Sequence, residues 1–324
     1  MSLAFLHAQD CEEPHSDAVW GVRWTVNDTV ISISADGGIK QYNSTSGQLS
    51  HSLPPHTLGL VSLDVDPNGK RALYNTLEGL TSLWDLESGE VVGKYESYAR
   101  GASDPAEPAW AVSLDPKGTT YASTGGSGSV TIHSADPGSF GERRSTLASG
   151  RNKFGMSCKY SPDGTRVAMS SDAGQIYIFD LASEKLLSTY TSHAMAVRSI
   201  AWSYDSQLLI SASEDKRLTL HDVRYSPTGK PGSGAVATFA GHLSWVLSAD
   251  ISPDGRLVVS GSADKSVKVW DIAARTAVST VHDAGGEVWS VSWRPKPPAH
   301  GSPGSFVTGG EDGKIKWWRG AGAG

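Results

Sequence analysis

The stretch FAGHLSWVLSADISPDGRLVVSGSADKSVKVWDI, residues 239–272, decides how the rest of the chain is read. Three apolar runs lie in it, Val246 to Ile251, Leu257 to Val259 and Val267 to Trp270. Each is of strand length, rich in Val and Ile, and bounded by turn residues. The turns are Ser252-Pro253-Asp254-Gly255 and Ala263-Asp264-Lys265. Gly241-His242 opens the unit and Trp270-Asp271 closes it. The question is whether such a unit recurs.

It recurs six more times, with decay. A first copy starts at His15 and carries Asp36-Gly37, but closes on Tyr42-Asn43. The second, from His56, keeps Pro67-Asn68-Gly69 and Trp84-Asp85. The third, from Glu107, has lost both the entry His and the Trp-Asp. The fourth runs from Asn152 to Asp180, the fifth from His193 to Asp222, and the seventh from Gly286. One small residue early in each first strand marks the register: Val19, Leu60, Ala109, Gly155, Val197, Val246 and Val288. The intervals are 41, 49, 46, 42, 49 and 42 residues. A Gly-His start and a Trp-Asp end at about this spacing resemble the blade of a WD-repeat propeller. The expected fold is therefore all-β: a single seven-bladed WD-repeat β-propeller spanning residues 1–324. Its blades are expected near 15–51, 56–96, 107–148, 152–190, 193–240, 242–281 and 286–319 plus 3–9.

The seventh unit ends at Trp317-Trp318 with only RGAGAG after it, so it lacks a fourth strand. An open sheet edge has to be covered. The segment LAFLHAQ, residues 3–9, alternates acceptably and is expected to pair beside Ile315–Trp318 as a clasp. Residues 98–108, 135–152, 224–234 and 295–305 are Gly-, Pro- or Ser-bearing and read as surface excursions, the third of them between blades and the fourth between two strands of the last blade.

Composition narrows the function classes. The 324 residues carry a formal net charge of -6 and no basic block, which argues against a phosphate-backbone footprint. The two cysteines, Cys11 and Cys158, support neither a disulfide framework nor a paired-cysteine metal site, and a reducing compartment is the simpler reading. The first residues lack the pattern of a signal peptide, and no apolar run approaches the roughly 18 residues of a membrane helix. No metal cluster or cofactor motif is apparent, and no Gly-x-Ser-x-Gly elbow, P-loop or His-Glu-x-x-His helix occurs.

His242, Ser260, Asp264 and Trp270 could be mistaken for a hydrolytic triad. In a WD repeat such a set is expected to be a structural network between strands, repeated here by His193, Ser211 and Asp215, with His221 in place of the Trp. The residue just after the register mark is expected to face the top of the ring near the central channel. Those residues are Trp20, Val61, Trp110, Met156, Arg198, Leu247 and Trp289. So apolar and aromatic a ring suits a binding surface. The alternative is that the Trp side chains fold inward between blades. The residues before the turn aspartates add Asp172, Glu214 and Glu311 as an acidic sector. They would suit a peptide with one basic and one bulky apolar residue, its Arg pairing with a carboxylate. Otherwise they are solvated turn charges.

SHAMAVRSIAWSYDSQLLISASED, GHLSWVLSADISPDGRLVVSGSADKSVKVWDIAARTAVSTV and HSDAVWGVRW closely resemble the WD-repeat subunit of the superkiller (Ski) complex and its animal relatives. The likeness covers essentially the full chain and is weakest in blade three. It implies a non-enzymatic scaffold, monomeric as a propeller and present in two copies per assembly. The partners it implies are a tetratricopeptide-repeat scaffold and a DExH RNA helicase, in a complex that assists the RNA exosome in 3′-to-5′ mRNA decay. It further implies cytoplasmic and nuclear localisation, with a topoisomerase-like meiotic recombination protein as a second partner. The resemblance places short partner segments on the top face, with Trp110 and Trp20 as hot spots. A nuclear RNA polymerase II elongation complex, a chromatin-tail reader and, less in keeping with the apolar ring, a propeller hydrolase are the other readings.

Overall fold

The computed structural model describes residues 3–97, 108–225, 234–282, 285–297 and 302–321. They form seven four-stranded antiparallel sheets arranged as the blades of a closed propeller. The only helical element among them is a 3₁₀ turn at Pro137–Ser139. Blade six shows the plan: Val246–Ile251, Leu257–Ser262, Ser266–Asp271 and Thr276–His282 follow one another outward from the channel. The first three strands are largely buried, and only the fourth alternates between core and solvent. A blade covered on both faces by its neighbours can carry continuous apolar runs, whereas its outer strand has water on one side.

The clasp forms as expected. Phe5–Asp10 runs antiparallel to Ile315–Gly320, pairing Phe5 with Gly320 and Asp10 with Lys316 across a bulge between His7 and Gln9. Phe5 is buried against Trp293 and Phe306, with ring centroids 6.0 and 5.1 Å away. The last blade thus takes its outer strand from the other end of the chain, and the ring closes.

Two excursions are placed differently from the sequence reading. Residues 135–152 carry the outer strand of blade three, Arg143–Ala148, which pairs with Ser129–Ser134. Its RRSTLA sequence buries only Leu147 fully, too little apolar content to announce a strand. Residues 224–234 fall inside blade five, between Arg217–Asp222 and Ala235–Ala240, rather than between blades. Residues 295–305 do join two strands of blade seven. The expected excursion at 98–107, with the Glu107 start of blade three, lies outside the described residues, as do 226–233 and 298–301 of the other two.

The innermost strands have no sheet partner on their channel side, so their N–H groups need other acceptors. Side chains of the preceding blade supply them. Ser290 Oγ accepts from Val22 N at 3.0 Å, Ser62 from Val112 N at 3.1 Å, and Ser248 from Val291 N at 3.2 Å. Two residues deeper, Asp64 accepts from Leu114 N at 2.9 Å, Asp250 from Trp293 N at 2.8 Å, and Ser113 from Tyr160 N at 3.1 Å. These bonds interlock blades around the channel and fix where its lining points.

Candidate functional site: the top of the channel

In six blades the residue after the register mark is the extra residue of a β-bulge. Pairing passes from Val19 to Gly21, from Leu60 to Ser62, from Gly155 to Ser157, from Val197 to Ser199, from Val246 to Ser248 and from Val288 to Ser290. A bulge re-aims the side chain it carries. Blade three differs slightly. Its paired strand starts at Ala111, one residue past Trp110, although Trp110 N still donates to Thr124 O at 2.8 Å. The seven residues Trp20, Val61, Trp110, Met156, Arg198, Leu247 and Trp289 all line one cavity of about 370 Å³. The three Trp side chains are half-buried rather than lost between blades. Trp20 and Trp289 approach each other at 6.4 Å, and Trp110 meets Phe154 edge-on at 5.5 Å.

The acidic sector is not uniform. Asp172 and Glu311 are exposed. Glu311 accepts a weak bond from Glu287 N at 3.2 Å. Glu214 already holds a guanidinium: Arg198 Nε donates to it at 2.6 Å. The same Arg198 lies over the Trp245 ring, 5.7 Å from its centroid. Trp245 was not singled out from sequence, nor were Leu243 and Met195, yet all three are exposed and Leu243 is 81% accessible. They sit in entry loops just after His193 and His242. Large apolar residues beside a loop histidine, where solvent-facing polar residues are the norm, were the available signal.

The His sets are hydrogen-bonded networks. His242 bonds Asp264 at 2.9 Å and Ser260 at 2.7 Å, and Trp270 Nε1 donates to Ser260 at 2.8 Å. His193 bonds Asp215 at 2.9 Å and Ser211 at 2.8 Å, with His221 a long 3.4 Å from Ser211. The histidines are buried, and each ties an entry loop to a strand and to a turn carboxylate. Asp264 is partly buried, which raises its pKa, but the His242 and Ser266 hydrogen bonds outweigh that and hold it below its ordinary value. Every serine in these sets is spent on the network, and none faces the channel cavity.

Deeper in the channel is a ring that sequence reading missed, four residues after each register mark: Arg23, Asp64, Ser113, Lys159, Ala201, Asp250 and Ser292. Lys159 Nζ donates to Asp64 at 2.6 Å, and Ser113 Oγ donates to the same carboxylate at 2.8 Å. Arg23 approaches Asp64 at 3.9 Å. Burial acts to raise Asp64, but Lys159 and Arg23 hold it below the ordinary carboxylate range. Among the described residues Asp250 accepts only from backbone N–H groups, and burial pushes it up. This waist separates the top cavity from a second one of about 320 Å³ at the opposite mouth. Counting on by three from the top ring would have found it.

A family model for the WD domain, G-beta repeat, matches residues 184–222, 234–271 and 275–319. Meiotic recombination protein rec14 of Schizosaccharomyces pombe is 30% identical over 315 residues, covering 96% of this chain and 95% of that protein. The chain belongs to the WD-repeat family. WD repeat-containing protein VIP3 of Arabidopsis thaliana is 31% identical over 65% of this chain and 68% of its own length. WD repeat-containing protein SL1-17 of Schistosoma mansoni is 28% identical over 66% of this chain and 69% of its own. A WD-repeat propeller typically serves as a non-enzymatic scaffold for protein–protein interaction. The top of the channel here combines an apolar cup, cationic side chains at its floor and an exposed rim. Among the described residues, no group of three or more His, Cys, Asp or Glu is placed to hold a metal ion.

Proposed function

We propose that this WD-repeat protein is a non-enzymatic scaffold whose top cup docks short segments of partner proteins. The observation that carries the reading is that seven residues from seven blades, six of them bulge residues, line a single cavity. A rigid ring leaves most of the ordering cost to the incoming segment. Half-buried Trp side chains offer it large contact area. In the finer reading the protein is the WD-repeat subunit of a superkiller complex. It would bind the tetratricopeptide-repeat scaffold and the DExH RNA helicase that assist the exosome, and work in cytoplasm and nucleus. The resemblance of blades five and six supports this. The near full-length likeness to rec14, whose name carries meiotic recombination, supports a second role there.

The test is a pull-down of the tetratricopeptide-repeat scaffold with wild type and Trp110→Ala. Loss of about 2 kcal/mol or more of binding, with an unchanged melting curve, is expected. Unchanged affinity would remove the top cup from the docking surface. Affinity purification that returned histones or elongation factors instead would favour the nuclear alternatives.

A further inference from the structure

The cup has a charged floor of one sign. Among the described residues, its only ionisable lining groups other than Cys158 are Arg23, Lys159 and Arg198. The carboxylates of the waist turn the other way: Asp64 and Asp250, with Asp66 beyond them, line only the cavity at the opposite mouth. Arg23 and Lys159 reach both cavities, so the waist is polarised, with its positive end toward the cup.

The cations are not exhausted by their internal partners. Lys159 has three N–H groups. Among the described residues it donates only to Asp64. Arg23 has five, and it donates one to Val22 O at 3.1 Å while its Nε stays 3.9 Å from Asp64. The side chains keep 17%, 28% and 30% of their surface accessible, for Lys159, Arg23 and Arg198 respectively. Three carboxylates, Asp64, Asp250 and Glu214, stand near the three cations, but none of these carboxylates lines the cup. Burial pushes Lys159 below its ordinary value and Asp64 opposes this, so a further anion would favour the charged ammonium. Apolar walls around such a floor lower the local dielectric and strengthen any charge placed on it.

Resting on the docking reading above, we propose that the cup selects a segment whose bulky apolar anchor is followed closely by a carboxylate, an Asp or Glu side chain or a free C-terminus, which reaches the cationic floor. A basic residue of the same segment is directed to the exposed rim carboxylates Asp172 and Glu311, not into the cup. Charge therefore orients the segment, acid end inward.

The experiment is selection of random displayed 12-residue peptides on the full-length protein, with Trp110→Ala as counter-selection. Cup-dependent peptides are expected to carry an acid or a free C-terminus within a few residues of the anchor. In one synthesised peptide, exchanging that acid for Lys is expected to weaken binding at least tenfold on wild type and less than threefold on Arg23→Met. Arg198→Met is the second variant, in case the first fails to match the wild-type melting curve. Cup-dependent peptides with a base or no charge beside the anchor overturn the floor assignment while leaving docking intact. Equal binding of acid and Lys peptides to wild type does the same. Recovery of no Trp110-dependent peptide overturns the docking reading itself, and the floor assignment with it.

Discussion

His221 stands where blade six has Trp270, and it is fully buried. Among the described residues its Nδ1 has no hydrogen-bond partner, and burial, with the nearby His193 adding to it, pushes its pKa down to about 3. An unfolded chain binds the proton near pH 6.5 while the native state refuses it. The stabilisation from the neutral imidazole is thus complete above about pH 6.5 and is lost as pH falls from there toward 3. At pH 5 the loss from this one residue amounts to about 2 kcal/mol. Urea melts from pH 7.5 to 5 are expected to show that decline, and His221→Phe should flatten it by about that amount. A variant as acid-sensitive as wild type would place the proton elsewhere. In the waist, Lys159→Met should cost about 3 kcal/mol, because Asp64 would keep a buried charge with only a distant Arg23. Replacing Asp64 by Ser as well should recover part of it, since Ser113 and Ser292 accept the same kind of inter-blade bond. A double variant no better than the single one would contradict the pairing argument.

At the scale of strands, the clasp carries the largest consequence. Removing residues 1–10 would bare the edge of Ile315–Gly320 and take Phe5 out of a cluster containing Trp293, Phe306 and Trp318. The buried ring alone is worth about 3 kcal/mol. The truncated protein should melt well below wild type and associate as its concentration rises, read by light scattering. An unchanged melt would mean that some other segment closes the ring. The clasp was legible because a unit with three strands and a missing edge poses a countable problem. The outer strand of blade three was not, because one exposed face leaves RRSTLA with little apolar pattern, and its register is further disturbed by a bulge. The 224–234 excursion was misassigned for a related reason. A long insertion between the third and fourth strands separates a blade from its own edge, so the break in the chain looks like a break between blades.

For the whole molecule, the proposed docking surface depends on a ring that no single blade displays. The repeat interval was enough to align Trp20, Trp110 and Trp289, because a propeller turns sequence register into angular position. What the interval did not yield was depth. The bulges set the top ring apart from the waist, and charge there is arranged between blades rather than within one. Arg198 and Glu214 are likewise separated by a strand and a turn, so their pairing could be read only once the blade was closed. The same geometry separates faces. Leu187 is exposed on the outer strand of blade four, whereas Leu247 lies in the cup at the inner strand of blade six. Each can lose its side chain without breaking a hydrogen bond. Leu247→Ala is expected to weaken partner binding by about 1 kcal/mol by reshaping the cup wall, since its side chain is already buried in the free protein, and Leu187→Ala by less than about 0.5. Calorimetric titration against one partner segment measures both. The reverse order would move the docking surface from the top of the channel to the side of the ring, where the interlocked inner strands would have no part in recognition.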